Sequence, residues 1–131
     1  MKKPCLSLCL FFSLLALPGY AKAEGTSSGS EIVAGIPAKN IVTLVDLGAK
    51  TCIPCKMMEP ILEELNKDYQ GRAEVIFIDV HEKPEQAKPF ALMAIPTQIV
   101  YDRQGKEVFR HVGFLAKKAL QEQLDKSLAV K

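Results

Sequence analysis

The chain has 131 residues, of which 17 are Lys or Arg and 15 are Asp or Glu, and 48% are hydrophobic. That length accommodates one domain, and the hydrophobic content excludes a wholly disordered chain. The net charge of +2 owes much to Lys2, Lys3 and Lys22; the chain after residue 23 holds 14 basic and 15 acidic residues, which gives no electrostatic case for nucleic-acid binding.

The first segment reads as an export signal. Met1-Lys2-Lys3 is a positive start, residues 5–17 are uncharged and rich in Leu and Phe, and Pro18-Gly19 breaks the run. Ala21-Lys22-Ala23 then fits a small-x-small cleavage site. This layout predicts a signal peptide over 1–23, cleaved near Ala23, with Gly19-Tyr20-Ala21 as a second cleavage position. The apolar run falls short of the ~20 residues that span a bilayer, which argues against a membrane anchor. The expected destination is a bacterial periplasm. A flexible leader follows over 24–35, and a folded domain over 36–131. Residues 31–39 are short and mixed, suiting a helical turn or an edge element.

Residues 41–47 (Ile-Val-Thr-Leu-Val-Asp-Leu) are apolar at nearly every position, which predicts a strand buried on both faces. Met58, Ile61, Leu62 and Leu65 recur at helical spacing and predict a helix over 55–69, kinked at Pro60 and ended by Gly71. Residues 75–80 predict a second buried strand. A weaker helix is expected over 84–93, opened by Pro84. Strands over 97–101 and 107–112 form a hairpin about Asp102-Arg103-Gln104-Gly105. Gly113 breaks the second, and an amphipathic helix runs over 114–130. The order begins with a βαβ unit, so the fold class expected is α/β, with a mixed sheet flanked by helices.

Of four cysteines, Cys5 and Cys9 leave with the signal, and Cys52-Ile53-Pro54-Cys55 remains. An oxidising compartment turns a lone pair of thiols into a disulfide. A bond across three residues closes a tiny loop and adds little stability, so the pair is better explained by reactivity. It falls between the carboxyl end of the first strand and the amino end of the first helix, where open α/β sheets place their sites. The helix start offers unpaired N–H groups and partial positive charge, which favour a thiolate. Cys52, at the tip, is expected to be exposed and to attack. Cys55, one turn in, is expected to be shielded and to resolve the mixed disulfide.

Cys-x-Pro-Cys-Lys after a buried strand, then Ile95-Pro96-Thr97 and a glycine after the hairpin, resembles the thioredoxin family from about Ile36 to Val130. The resemblance implies the thioredoxin fold. The distance along the chain from Cys52 to Pro96 leaves no room for the helical subdomain that disulfide-introducing relatives carry. It also implies that Asp46 is the buried acid that helps deprotonate Cys55, and that Pro96 is a cis-proline. Pro60, Lys56 and Gly113 fill further family positions. The residues expected to contact substrate are Ile95, Pro96, Thr51, Ile53, Pro54 and Gly113. Burial among apolar neighbours would itself raise the Asp46 pKa toward neutrality.

Three positions depart from the family. Thr51 stands where an aromatic usually precedes the first cysteine, Ile53 where a glycine usually lies between the two, and Val75 where a lysine usually neighbours the acid. Met57, Met58 and Met93 are expected to be apolar packing and not copper ligands. His81 and His111 lack ligand spacing, so no metal is expected. No cofactor is expected either: the Cys52–Cys55 dithiol/disulfide would carry the electrons. The activity expected is reduction of protein disulfides by a monomer, with thiol or disulfide proteins as substrates. The resemblance implies a membrane thiol-reductant conduit as electron source. The alternatives are a disulfide-introducing oxidant and a redox-silent peptide-binding module.

Overall fold

A computed structural model describes residues 35–130. The proposed signal peptide and most of the leader lie outside the described residues.

Seven residues, apolar or small except for Thr43 and Asp46, form β1, Val42–Gly48, and all seven are buried. The chain then enters helix α1, Ile53–Asp68, strand β2, Ala73–Asp79, and a single turn α2, Pro84–Ala87, that continues as a 3-10 turn over Lys88–Phe90. Strands β3, Thr97–Tyr101, and β4, Glu107–Val112, form the hairpin, and helix α3, Lys117–Ala129, closes the domain. The sheet order is β2-β1-β3-β4. β1 runs parallel to β2 and antiparallel to β3, and β3 is antiparallel to β4. The sheet is therefore mixed, as expected, and the connection from β2 to β3 carries no inserted subdomain.

Alternation along β1 makes two cores, because successive side chains point to opposite faces. Val42 and Leu44 pack with Met58, Leu62 and Leu65 of α1 and with Leu120 and Leu124 of α3. Val45 and Leu47 pack on the other face with Ile78, Ile99, Ala87 and Phe90. Each fully buried leucine contributes roughly 1.5–3 kcal/mol by leaving water. Asp46 and Gly48 belong to the first face by the same alternation, so a carboxylate sits inside the core under α1.

The helix α1 runs through Pro60 without ending. Its C-terminal Tyr69 is buried, and the phenol donates to Asp125 Oδ1 of α3 at 2.9 Å. Gly71 does not cap the helix directly; it takes φ 75° in the turn that follows Tyr69.

Three expectations need correction. The helix expected over 84–93 is one turn plus a 3-10 turn, because Pro89 has no N–H to continue the ladder and Ala91 turns left-handed at φ 47°. The last helix starts at Lys117 and not at 114: Gly113 takes φ 104° and donates its N–H to Pro96 O at 2.8 Å, and Ala116 is still extended. Strand β2 is not buried throughout, since among the described residues it lies at the sheet edge and exposes Glu74 and Phe77. Residues 35–41 form turns and bends, with Ile36–Pro37 cis.

Candidate active site

Cys52 is the N-cap of α1, with extended backbone at φ −91° and ψ 119°. Its N–H donates to Ala49 O at 3.0 Å, and its carbonyl receives Lys56 N–H at 3.1 Å, the first bond of the helix. Pro54 sits in the first turn, where its missing N–H costs nothing. That turn contains no acidic residue, so nothing there opposes the positive end of the helix. Cys52 is half-buried and Cys55 fully buried, and the two are joined as a disulfide with a Cα–Cα distance of 5.2 Å. Cys55 packs on Gly48, which lies two residues from Asp46 on the same face of β1. The inner sulfur of α1 thus lies over the strand residue two along from the acid, on the same face of β1.

Asp46 is wholly buried. Burial pushes its pKa up from 3.8 to about 6, against the pull of the hydrogen bond from Gln98 Nε2 to Oδ1 at 2.8 Å. Gln98 faces Asp46 across the β1–β3 ladder and is itself wholly buried. Asp46 Oδ2 and Gln98 Oε1 have no hydrogen-bond partner among the described residues.

The loop that delivers Cys52 is tied to the end of β2. Asp79 Oδ2 accepts Lys50 N–H at 3.0 Å, and Oδ1 accepts the N–H groups of His81 and Glu82 at 2.9 and 3.0 Å. These bonds, that from Glu82 first, hold the Asp79 carboxyl below its ordinary range. Thr51 Oγ1 lies 3.5 Å from His81 Nδ1, and Lys50 Nζ pairs with Glu82 at 2.8 Å.

The peptide Ile95–Pro96 is cis. The register sets Leu47 opposite Thr97 and Thr97 opposite Val112. Pro96 and Gly113 therefore flank the end of β1 that leads to Cys52. Thr97 Oγ1 donates to Ala94 O at 2.6 Å and braces the approach to Pro96. Thr51, Ile53 and Pro54 are exposed, and Ile95 is partly buried. Phe114 follows Gly113 on the exposed rim.

A family model described as Thioredoxin matches residues 27–126. The thioredoxin of Staphylococcus aureus (strain Mu50 / ATCC 700699) is 48% identical over 87 residues, covering 66% of this chain and 83% of that protein. The thioredoxin of Staphylococcus haemolyticus (strain JCSC1435) is 49% identical over the same shares. The chain belongs to the thioredoxin family. With its Cys52–Cys55 pair it is a thiol-disulfide oxidoreductase.

Within this thioredoxin fold, the structure brings Cys52, Cys55, Asp46, Ile95, Pro96 and Gly113 to one edge of the sheet, with Thr51, Ile53 and Pro54 around the cysteine tip. Val75, at the position of the family lysine, packs into the core beside α1. Met58 is core, whereas Met57 and Met93 are exposed. Two residues escaped the sequence reading. Gln98 is an amide leading into the apolar Ile99-Val100 of its strand, and a buried amide needs a partner; that was its signal. Asp79 ends a strand before Val-His-Glu-Lys-Pro, and an aspartate there commonly gathers the next N–H groups.

Proposed function

We propose that this thioredoxin-family protein acts as a monomer that reduces protein disulfides in the periplasm, and that Asp46 is the proton acceptor for Cys55. The observation that carries the chemistry is the contrast between the two sulfurs. Cys52 sits at the open N-terminus of α1, and Cys55 is sealed against the strand that holds Asp46.

The reaction starts from the reduced pair. The Cys52 thiolate, favoured by the helix terminus, attacks one sulfur of the substrate disulfide. A Cys52–substrate bond forms, and the other substrate sulfur leaves as a thiolate that takes a proton from solvent. Cys55 Sγ–H then gives its proton to Asp46, whose raised pKa suits an acceptor near neutral pH. The Cys55 thiolate attacks Cys52 Sγ, closes the intramolecular disulfide and releases the second substrate thiolate. Two electrons pass from the pair to the substrate, and no bound cofactor takes part. Ile95 offers main chain to an extended substrate segment, with Pro96 and Gly113 beside it and Thr51, Ile53 and Pro54 as its side-chain contacts.

The direction rests on the short connection from β2 to β3, which holds one helical turn and a 3-10 turn where oxidising relatives carry a subdomain. Export rests on the signal-like pattern of residues 1–23. A reductant in an oxidising compartment must be recharged, and a membrane thiol-reductant conduit is the donor we infer. The deciding experiment is the reduction potential of the Cys52–Cys55 couple in glutathione or dithiothreitol buffers. A value of about −270 mV is expected; one of about −120 mV would reverse the direction. Cys52→Ser should abolish disulfide reduction.

A further inference from the structure

A glutamine buried in a strand has two donor hydrogens and a carbonyl oxygen to satisfy. Gln98 donates to Asp46 Oδ1 at 2.8 Å, yet among the described residues its own Oε1 is unpaired, and so is Asp46 Oδ2. Leaving a buried polar atom unpaired costs the full desolvation of that group. Here both orphans are acceptors, and they belong to the two members of one hydrogen-bonded pair. They cannot satisfy each other while Asp46 is ionised. A single proton on Oδ2 supplies the missing donor and closes an acid–amide pair, with Nε2–H on Oδ1 and Oδ2–H toward Oε1.

The geometry points to Gln98 as the positioning residue for Asp46: its amide occupies Oδ1, so the proton from Cys55 is received on Oδ2, where Gln98 Oε1 accepts it in turn. The step is a proton transfer alone. Cys55 Sγ keeps the electron pair of its S–H bond, and Asp46 becomes a neutral acid. This deepens the reading of Asp46 as the Cys55 proton acceptor and rests on it.

The neighbours leave this role to Gln98. On α1 the titratable group nearest the face is Cys55, against Gly48. On β2 the residue opposite Asp46 is Phe77, and Asp79 beyond it is engaged by three backbone N–H groups. Lys50, Glu59 and Glu63 line a cleft with Phe77. On β4 His111 stands opposite Gln98, with its Nε2 3.3 Å from Phe114 O. From α3 the buried contacts to this core are Leu120 and Leu124. The influences on Asp46 are accordingly burial, which raises its pKa, and the Gln98 hydrogen bond, which lowers it.

The test is carboxyl and side-chain amide NMR of the whole oxidised protein across pH 4–9. In the unaltered chain the Gln98 Nε2 resonances should titrate with the Asp46 carboxyl midpoint, and this titration should vanish in Asp46→Asn. In Gln98→Met, which keeps length and loses the amide, the ionised acid loses its donor. The Asp46 midpoint should then rise by a pH unit or more, a tenfold or greater gain in proton affinity. The pH profile of disulfide exchange should shift upward with it. A flat Gln98 amide signal beside a titrating Asp46 would overturn the proposal even if Gln98→Met failed to fold. So would an unmoved midpoint in a folded Gln98→Met. The oxidised protein turns nothing over, so these readouts are independent of the proposed reaction, whose own failure would appear as exchange surviving in Cys52→Ser.

Discussion

Gly48 lies directly beneath Cys55: a Cβ on Gly48 would stand 3.2 Å from Cys55 Cβ and 3.3 Å from its Sγ. The same Cβ would meet Phe77 Cε2 at 3.0 Å. Phe77 is partly exposed and can swing aside, but Cys55 is fixed by the first turn of α1. Gly48→Ala should therefore push the helix terminus off the sheet and cost about 1–3 kcal/mol, the range for overpacking a well-filled core. Urea midpoints of the oxidised protein would show it. A Gly48→Ala variant as stable as the parent would mean that α1 is not seated on this glycine.

Asp46 makes stability depend on pH with a definite sign. Its folded pKa, about 6, exceeds the 3.8 of a free aspartate, so the native state holds the proton more tightly than the unfolded chain. The stabilising contribution of that proton is complete below about pH 4 and is lost as pH rises through about 6. A shift of about two units corresponds to roughly 3 kcal/mol. Asp46→Asn, which cannot ionise, should be more stable than the parent at pH 8 by up to about that amount, and far less distinguished from it at pH 4. The same variant should slow disulfide exchange roughly 10²–10⁴-fold, the usual loss for a missing proton acceptor. Denaturant titrations at the two pH values check the first part; an equal stability difference at both would show that Asp46 is not titrating in the fold.

Much of this arrangement was legible in residue order, for local reasons. The unbroken apolar run that became β1, the helical spacing of Met58, Leu62 and Leu65, and the Cys-x-Pro-Cys tip each depend on a few adjacent residues. The Asp46–Gln98 pair does not, because only the antiparallel register of β1 and β3 sets the two side by side. Asp79 is similar: its carboxylate reaches Lys50 from 29 residues away. The late start of α3 came from another distant bond, that of the Gly113 N–H to Pro96 O. The early end of α2 is local: Pro89 lacks the N–H to continue the ladder and Ala91 turns left-handed.

Asp79 predicts the opposite pH behaviour to Asp46. Its carboxyl is held below the ordinary range by backbone donors, Glu82 N–H first. Its contribution is therefore present above about pH 4 and lost as pH falls through the lower folded value. Asp79→Ala removes three hydrogen bonds to a charged group and should cost roughly 2–4 kcal/mol at pH 7, with the gap closing in acid. Glu82→Gln, which breaks the exposed pair with Lys50, should cost less than about 1 kcal/mol. Urea midpoints for both variants at pH 7 and pH 3 decide between them. A Glu82→Gln effect as large as that of Asp79→Ala would move the loop's anchor from the buried carboxylate to the surface pair.

Exposed apolar side chains stand in sequence beside the cysteine tip, Ile95 and Gly113, where folding has no need of them. Met93 is 94% exposed, Ile53 76% and Phe114 42%. Such exposure contributes little to folding, so Met93→Lys should change stability by no more than about 0.5 kcal/mol. If the rim receives the chain around a substrate disulfide, the substitution removes binding that is equal in ground and transition states. KM for a protein disulfide should then rise several-fold with kcat unchanged. A small aromatic disulfide, which reaches Cys52 without touching the rim, should react with Met93→Lys at the parent rate. Ile53→Lys should raise KM in the same way while adding charge inside the first turn, so its reduction potential must be measured beside its kinetics. Should Met93→Lys depress both substrates alike, Met93 would act on the sulfur chemistry itself, and the apolar rim would no longer explain which disulfides this protein accepts.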